Sequence, residues 1–176
     1  MAVESAGLVP AAKFALPVLL ALAAVVDYRR RRIPNALSFG GMAAGLLLGL
    51  VSGGAPGLLG SFLGLLTGGA LFLPFYLARG LGAGDVKLMA AVGAFLGPGH
   101  TLWAAITVAL LGGVIAAWAA FRQRRLAQAL RDTAGVVFRV RPLKTLDASS
   151  REESIPYGLA IAAGVLLYLV LLAHAA

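Results

Sequence analysis

Apolar runs recur along this chain at close to the length a bilayer demands, and charge is almost confined to the breaks between them. A hydrocarbon core about 30 Å thick takes roughly 20 apolar residues of helix. Within it every backbone N–H and C=O must find a partner inside the protein. The runs therefore predict an all-α, polytopic membrane protein. Composition agrees: 60% of residues are apolar and 12% charged, against about 25% charged in an average soluble chain.

Six spans are expected, over about 8–27, 36–52, 57–78, 85–97, 101–121 and 155–173, with a polar loop at 122–153. Together they make residues 1–176 a single membrane-embedded domain. The first run, broken only by Lys13, Pro10 and Pro17, ends in Asp27-Tyr28 and then Arg29 to Arg32. A cleaved signal peptide carries its basic residues ahead of the apolar run. Here Glu4 precedes the run and the arginines follow it, which reads as a retained span. Ile33-Pro34-Asn35 opens the second span, since proline suits a first helical turn. Gly53-Gly54-Ala55-Pro56 and Pro98-Gly99-His100 read as turns. Glycines four apart, at 41, 45 and 49 and again at 60, 64 and 68, place small residues on one helix face, where membrane helices pack closely.

The net charge of +8 raises the question of nucleic acid, but its distribution answers otherwise. If six spans alternate, Arg29 to Arg32, Arg79, Lys87 and the basic residues of 122–151 all fall on one side, and only Lys13 does not. The positive-inside rule makes that side cytoplasmic and puts both termini outside. Membrane lipid, not nucleic acid, is the expected partner of this charge. Within the polar segment, Leu126, Leu130, Ala134 and Val137 recur at helical spacing among arginines. A surface helix on anionic headgroups and a solvated loop both fit that pattern.

There is no cysteine, hence no thiol nucleophile and no cysteine-ligated zinc. His100 and His174 both fall near span ends, so neither a metal site nor a cofactor is expected.

The chemistry must then come from acids. Asp85 follows Gly82-Ala83-Gly84 and begins the fourth span, while Asp27 ends the first. Both borders are cytoplasmic in the arrangement above. An acid at the edge of a membrane helix is costly and is a functional-site candidate by default. Two carboxylates that meet in a partly dry site share a proton. One then serves as general base on water while the other donates to a leaving amine. The plainer alternative has Asp27 paired with the arginines beside it and Asp85 capping its own helix. Lys87, two residues on, points away from Asp85 on a helix and reaches toward the headgroups.

Gly82-Ala83-Gly84-Asp85 matches the GxGD signature of intramembrane aspartyl proteases, and with Val86-Lys87-Leu88 it resembles that of type IV prepilin peptidases. Asp27-Tyr28-Arg29 with Ile33-Pro34-Asn35, and Ile155-Pro156-Tyr157-Gly158, are similar to further motifs of that family, in order along nearly the whole chain. The resemblance implies a membrane aspartyl endopeptidase of the bacterial cytoplasmic membrane, with Asp27 and Asp85 catalytic. Its substrate would be a type IV pilin-like precursor, cut free of its basic leader at the cytoplasmic face. Larger members carry a cysteine cluster for zinc and a methyltransferase activity. This chain lacks both the cysteines and the long first loop, and so resembles the short, peptidase-only form of Flp/Tad pilus systems. Given that resemblance, Gly82 and Gly84 are candidates to pair as extended backbone with the scissile peptide. Tyr157 either adds a hydroxyl to the site or anchors the helix at the interface. Two other functions remain open: a non-catalytic scaffold, and a proton-coupled transporter, which calls for charge deeper in the spans.

Because cysteine is absent, single introduced cysteines test the expected topology. Positions in 122–150 should resist an impermeant thiol reagent in intact cells, while positions at Gly53, Gly54 and Gly99 should react. The opposite pattern would reverse the orientation.

Overall fold

The computed structural model describes residues 10–30, 33–78, 80–122 and 157–175. These form four helices: α1 (Pro10–Arg30), α2 (Asn35–Leu77), α3 (Ala83–Arg122) and α4 (Tyr157–Ala175). The expected polar segment lies, beyond Arg122, outside the described residues, as do Arg31, Arg32, Arg79, Ile155 and Pro156.

Straight, α2 would be about 65 Å long at ~1.5 Å per residue, twice the thickness of a bilayer core. It is not straight. A Cβ added at Gly49 would run into Ser61 and the carbonyl of Gly57, so the helix folds back on itself. The reversal sits at Gly54, whose φ of 60° and ψ of −144° lie outside the helical region. In α3 the corresponding residue is Gly97, with φ 72° and ψ 173°. Gly112, in its second arm, comes back to the side chain of Tyr157. The charge of Asp85, in its first arm, acts at the same tyrosine. Four helices thus make six helical arms.

The turn expected at 53–56 narrows to Gly54, and the one expected at 98–100 lies one residue earlier, at Gly97, with 98–100 helical. A left-handed backbone is nearly free only for glycine, so one residue carries each reversal. Pro56 and Pro98 then fall in the first turn of the next arm, where a missing N–H costs little. Pro34, expected in a first helical turn, instead precedes α2 as its N-cap, its carbonyl accepting from the Leu37 and Ser38 amides at 3.1 and 3.3 Å. The first helix also runs past Asp27 to Arg30.

The first arm of α3 is the centre of the bundle. Leu88, Met89, Ala91, Val92 and Ala94 are fully buried. Gly41 and Gly45 of α2 abut Ala91 and Ala94, while Gly64 and Gly68 press on the backbone of Gly93 and Met89. Leu16, Leu20 and Ala23 of α1 and Ile161 and Val165 of α4 complete the same apolar cluster. Outside, Phe14, Val51, Leu77, Trp103 and Leu110 are exposed. Glycines at the closest helix contacts and large apolar residues outside suit a lipid surround, where close helix approach replaces hydrophobic collapse. Among the described residues Asn35–Leu77, Ala83–Ile115 and Tyr157–His174 are long and apolar enough to cross a membrane. The protein is an all-α membrane protein.

Among the described residues, polar contacts between arms are few. The Thr107 hydroxyl donates to the Gly164 carbonyl at 3.0 Å, and His100 Nδ1 meets the Tyr168 hydroxyl at 2.5 Å. Lys87 is held by α2. Its ammonium donates to Asn35 Oδ1 at 2.8 Å and stands 5.2 Å from the centre of the Phe39 ring.

Gly60 and Gly64, one turn apart, test the packing. A Cβ at Gly64 has no room against Gly93, whereas Gly60 has nothing within 4 Å. Gly64→Ala should destabilise the protein by about 1–3 kcal/mol, the usual range for overpacking. Gly60→Ala should be neutral. Thermal unfolding in detergent, read by the amount of monodisperse protein that survives, distinguishes them.

Candidate active site

Asp85 owes its position to the start of α3. Val86-Lys87-Leu88-Met89-Ala90-Ala91 is rich in good helix formers, while Gly80 to Gly82 is not helical. The helix begins at Ala83, so Asp85 lies in its first turn. Its Oδ2 accepts the Gly82 N–H at 3.0 Å, and its own N–H donates to the Gly82 carbonyl at 3.1 Å. The first is the side-chain limb of a capping box and the second a backbone turn bond, and together they satisfy donors the helix start leaves without partners. The capping role considered from the sequence is thus real, and it occupies only one carboxylate oxygen.

That helix start corrects one expectation. Ala83 and Gly84 are helical and do not form an extended strand for a peptide to pair with. A Cβ at Gly84 would stand 3.2 Å from Cβ of Ile33, and one at Gly82 would stand 3.2 Å from Asp85 Oδ2. Gly84 thus packs within the helix start, while Gly82 lies just before it, against the carboxylate of Asp85.

Asp27 lies one turn before the end of α1 and is only 6% exposed. Its Oδ2 accepts the Gly158 N–H at 2.9 Å. Gly158 sits in the first turn of α4, where that N–H has no acceptor within its own helix. A carboxylate from the end of α1 therefore caps α4 and lies at the positive end of its dipole. The approach is close: a Cβ at Gly158 would lie 2.7 Å from the oxygen it now serves.

Asp85, 8% exposed, feels the charge of Asp27, and the Tyr157 hydroxyl feels that of Asp85. The structure brings these three residues, all singled out in the sequence, into one neighbourhood. Among the described residues both acids are held through Oδ2 by backbone amides, which leaves Oδ1 of each for a proton or a water. No trio of His, Cys, Asp or Glu gathers for a metal among those residues.

Two acids held at helix starts at one end of a membrane bundle fit the order of motifs noted above. The sequence model of the type IV leader peptidase family matches residues 14–117, more than half of the chain, with both acids inside the match. The chain belongs to the type IV leader peptidase family. It is a membrane-embedded peptidase, and α4 with Gly158 lies beyond the matched region. No curated protein and no solved structure gives a significant match.

The sequence had not assigned the Gly158 amide to Asp27. The signal was present in Tyr157-Gly158, but a backbone donor has no residue type that announces it. Replacing Gly158 by Ala should displace Asp27 and, with Asp27 as a reacting group in the function proposed below, lower the turnover of the peptidase by roughly 10²-fold. Gly113→Ala, with nothing within 4 Å of the new Cβ, should leave it unchanged. Steady-state kinetics on purified variants measures both.

Proposed function

We propose that this peptidase is an aspartyl endopeptidase that removes the basic leader from type IV pilin-like precursors, with Asp27 and Asp85 as its catalytic pair. The observation that supports this reading is the placement of two buried carboxylates at one end of the bundle, each held by the backbone N–H of a helix start, with the charge of Asp27 acting at Asp85. Sharing one proton spares a low-dielectric site a second negative charge. The ionised partner takes a proton from water, whose oxygen attacks the scissile carbonyl to form a tetrahedral oxyanion. The protonated partner gives its proton to the departing amine, and the C–N bond breaks. One proton enters the pair and one leaves, so the pair is reset. Tyr157 borders the pair as a candidate substrate contact, while Gly82 and Gly84 serve it by shaping the start of α3.

In the membrane the six arms are six spans with both termini outside, and the acidic pair faces the cytoplasm of a bacterial inner membrane. The first arm of α3 favours a recessed site. From Ala83 to Leu96 it rises about 21 Å, short of the ~30 Å core. Its Asp85 end then lies below the cytoplasmic surface, in a cleft between α1 and α4 that admits water. Non-helical backbone at such depth is tolerated where it lines an aqueous cavity.

Asp27→Asn and Asp85→Asn should each lower cleavage of a pilin-like precursor by roughly 10²–10⁴-fold, the share ordinarily due to general acid–base groups, while protein levels in the membrane hold. Substantial residual cleavage in either variant would remove that residue from the pair. The pH–rate profile should be bell-shaped, with both apparent pKa values belonging to the pair. A plateau without alkaline decline, in protein that stays folded, would count against proton sharing.

A further inference from the structure

A groove of about 370 Å³ runs along the seam between α1 and α4, lined by Ala24, Val25, Tyr28 and Arg29 on one side and Leu159 on the other. We infer that this groove is the docking site for the apolar segment of the precursor that follows the scissile bond, and that it holds one or two of that segment's bulky side chains. The inference rests on the peptidase function proposed above.

The groove is continuous with the catalytic pair. Tyr28 adjoins Asp27 in sequence, Ala24 precedes it by one helical turn, and Leu159 follows Gly158. The hydrogen bond from Gly158 to Asp27 joins the two walls. Asp27 is buried behind that seam, while Val25 and Leu159 are about half exposed on its outer side. A side chain seated between them is one residue from the groups that hold the carboxylate.

Size and polarity define the occupant. Ligand pockets run to about 300–1,000 Å³, so this one is at the small end and fits anchoring side chains, not a whole helix. A few such anchors carry most of the energy of many interfaces. The lining is apolar along Ala24, Val25 and Leu159, and turns polar only at Tyr28 and Arg29, toward the end of α1. An apolar helix entering sideways from the bilayer meets the apolar length first. A basic leader is repelled by the Arg29 guanidinium, and like-charge exclusion of this kind fixes register. The leader is thereby kept out of the groove while the apolar segment is kept in it, which brings the peptide between them to the acids.

The test uses the full-length protein in lipid vesicles with a full-length pilin-like precursor. A photoreactive benzoylphenylalanine is placed at Val25, at Leu159, or at Leu73, an exposed α2 position away from the groove, in an Asp85→Asn background that preserves the precursor. Adducts from 25 and 159 should map to the apolar segment just after the cleavage site, and 73 should label lipid alone. Labelling of lipid alone from 25 and 159, or of this chain's own 123–156 segment, would overturn the proposal. In the otherwise native enzyme, Val25→Trp and Leu159→Trp should fill the groove and raise KM roughly tenfold with kcat held, the signature of lost uniform binding. Leu73→Trp should change neither. Wild-type KM in both groove variants, with cleavage still dependent on Asp27 and Asp85, would sink the groove and leave the peptidase intact. Absence of cleavage by the wild-type enzyme would remove both.

Discussion

The close approach of α2 to the first arm of α3 is the contact on which the rest of the structure depends. Gly64 and Gly68 lie against the backbone of Gly93 and Met89 with no side chain between. In lipid there is little hydrophobic drive to bring helices together, so association draws on van der Waals contact at short range. Glycine supplies that range. The other arm of α2 closes in through Gly41 and Gly45, and α1 and α4 cover what remains. A short helix held on every side in this way is a rigid mount for the acid in its first turn.

The second acid is mounted differently. Asp27 stands near the end of one helix and takes its hydrogen bond from the start of another, 131 residues further along the chain. Its place is therefore settled only when α4 has packed. Both acids use the same resource, the unpaired N–H groups that every helix start provides. In a low-dielectric interior such a bond is electrostatically stronger than in water. A bundle poor in polar side chains can thus hold two carboxylates without enlisting further side chains as donors.

Where the polar groups lie also bears on the proton-transport alternative. Among the described residues the buried polar side chains are Asp27, Ser38, Ser61, Asp85 and Thr101. The two carboxylates are both at one end of the bundle, the others are hydroxyls on separate arms, and among the described residues the buried Tyr168 hydroxyl meets only His100. A relay through the membrane needs ionisable groups at depth, and a peptidase needs them together at one end. The distribution suits the peptidase.

Several features were determined by the sequence alone. Apolar run length and the poverty of charge dictate membrane helices, because unpaired backbone is intolerable in lipid. The motifs around Asp27 and Asp85 point to the peptidase family, because their residues stand in the family's order along the chain. Glycines at intervals of four mark the faces that pack. The tertiary structure decided what local pattern does not encode. It set the reversals at single glycines, Gly54 and Gly97, because either of two or three neighbouring residues satisfies the pattern but only one takes the left-handed backbone. It began α3 at Ala83, turning Gly84 from a strand into a packing residue against Ile33. It bound Lys87 to Asn35 and Phe39, and it gave Asp27 its donor in Gly158. Each of these partnerships joins residues far apart in the chain, and a backbone amide or a neighbouring helix becomes a partner only once the arms have packed.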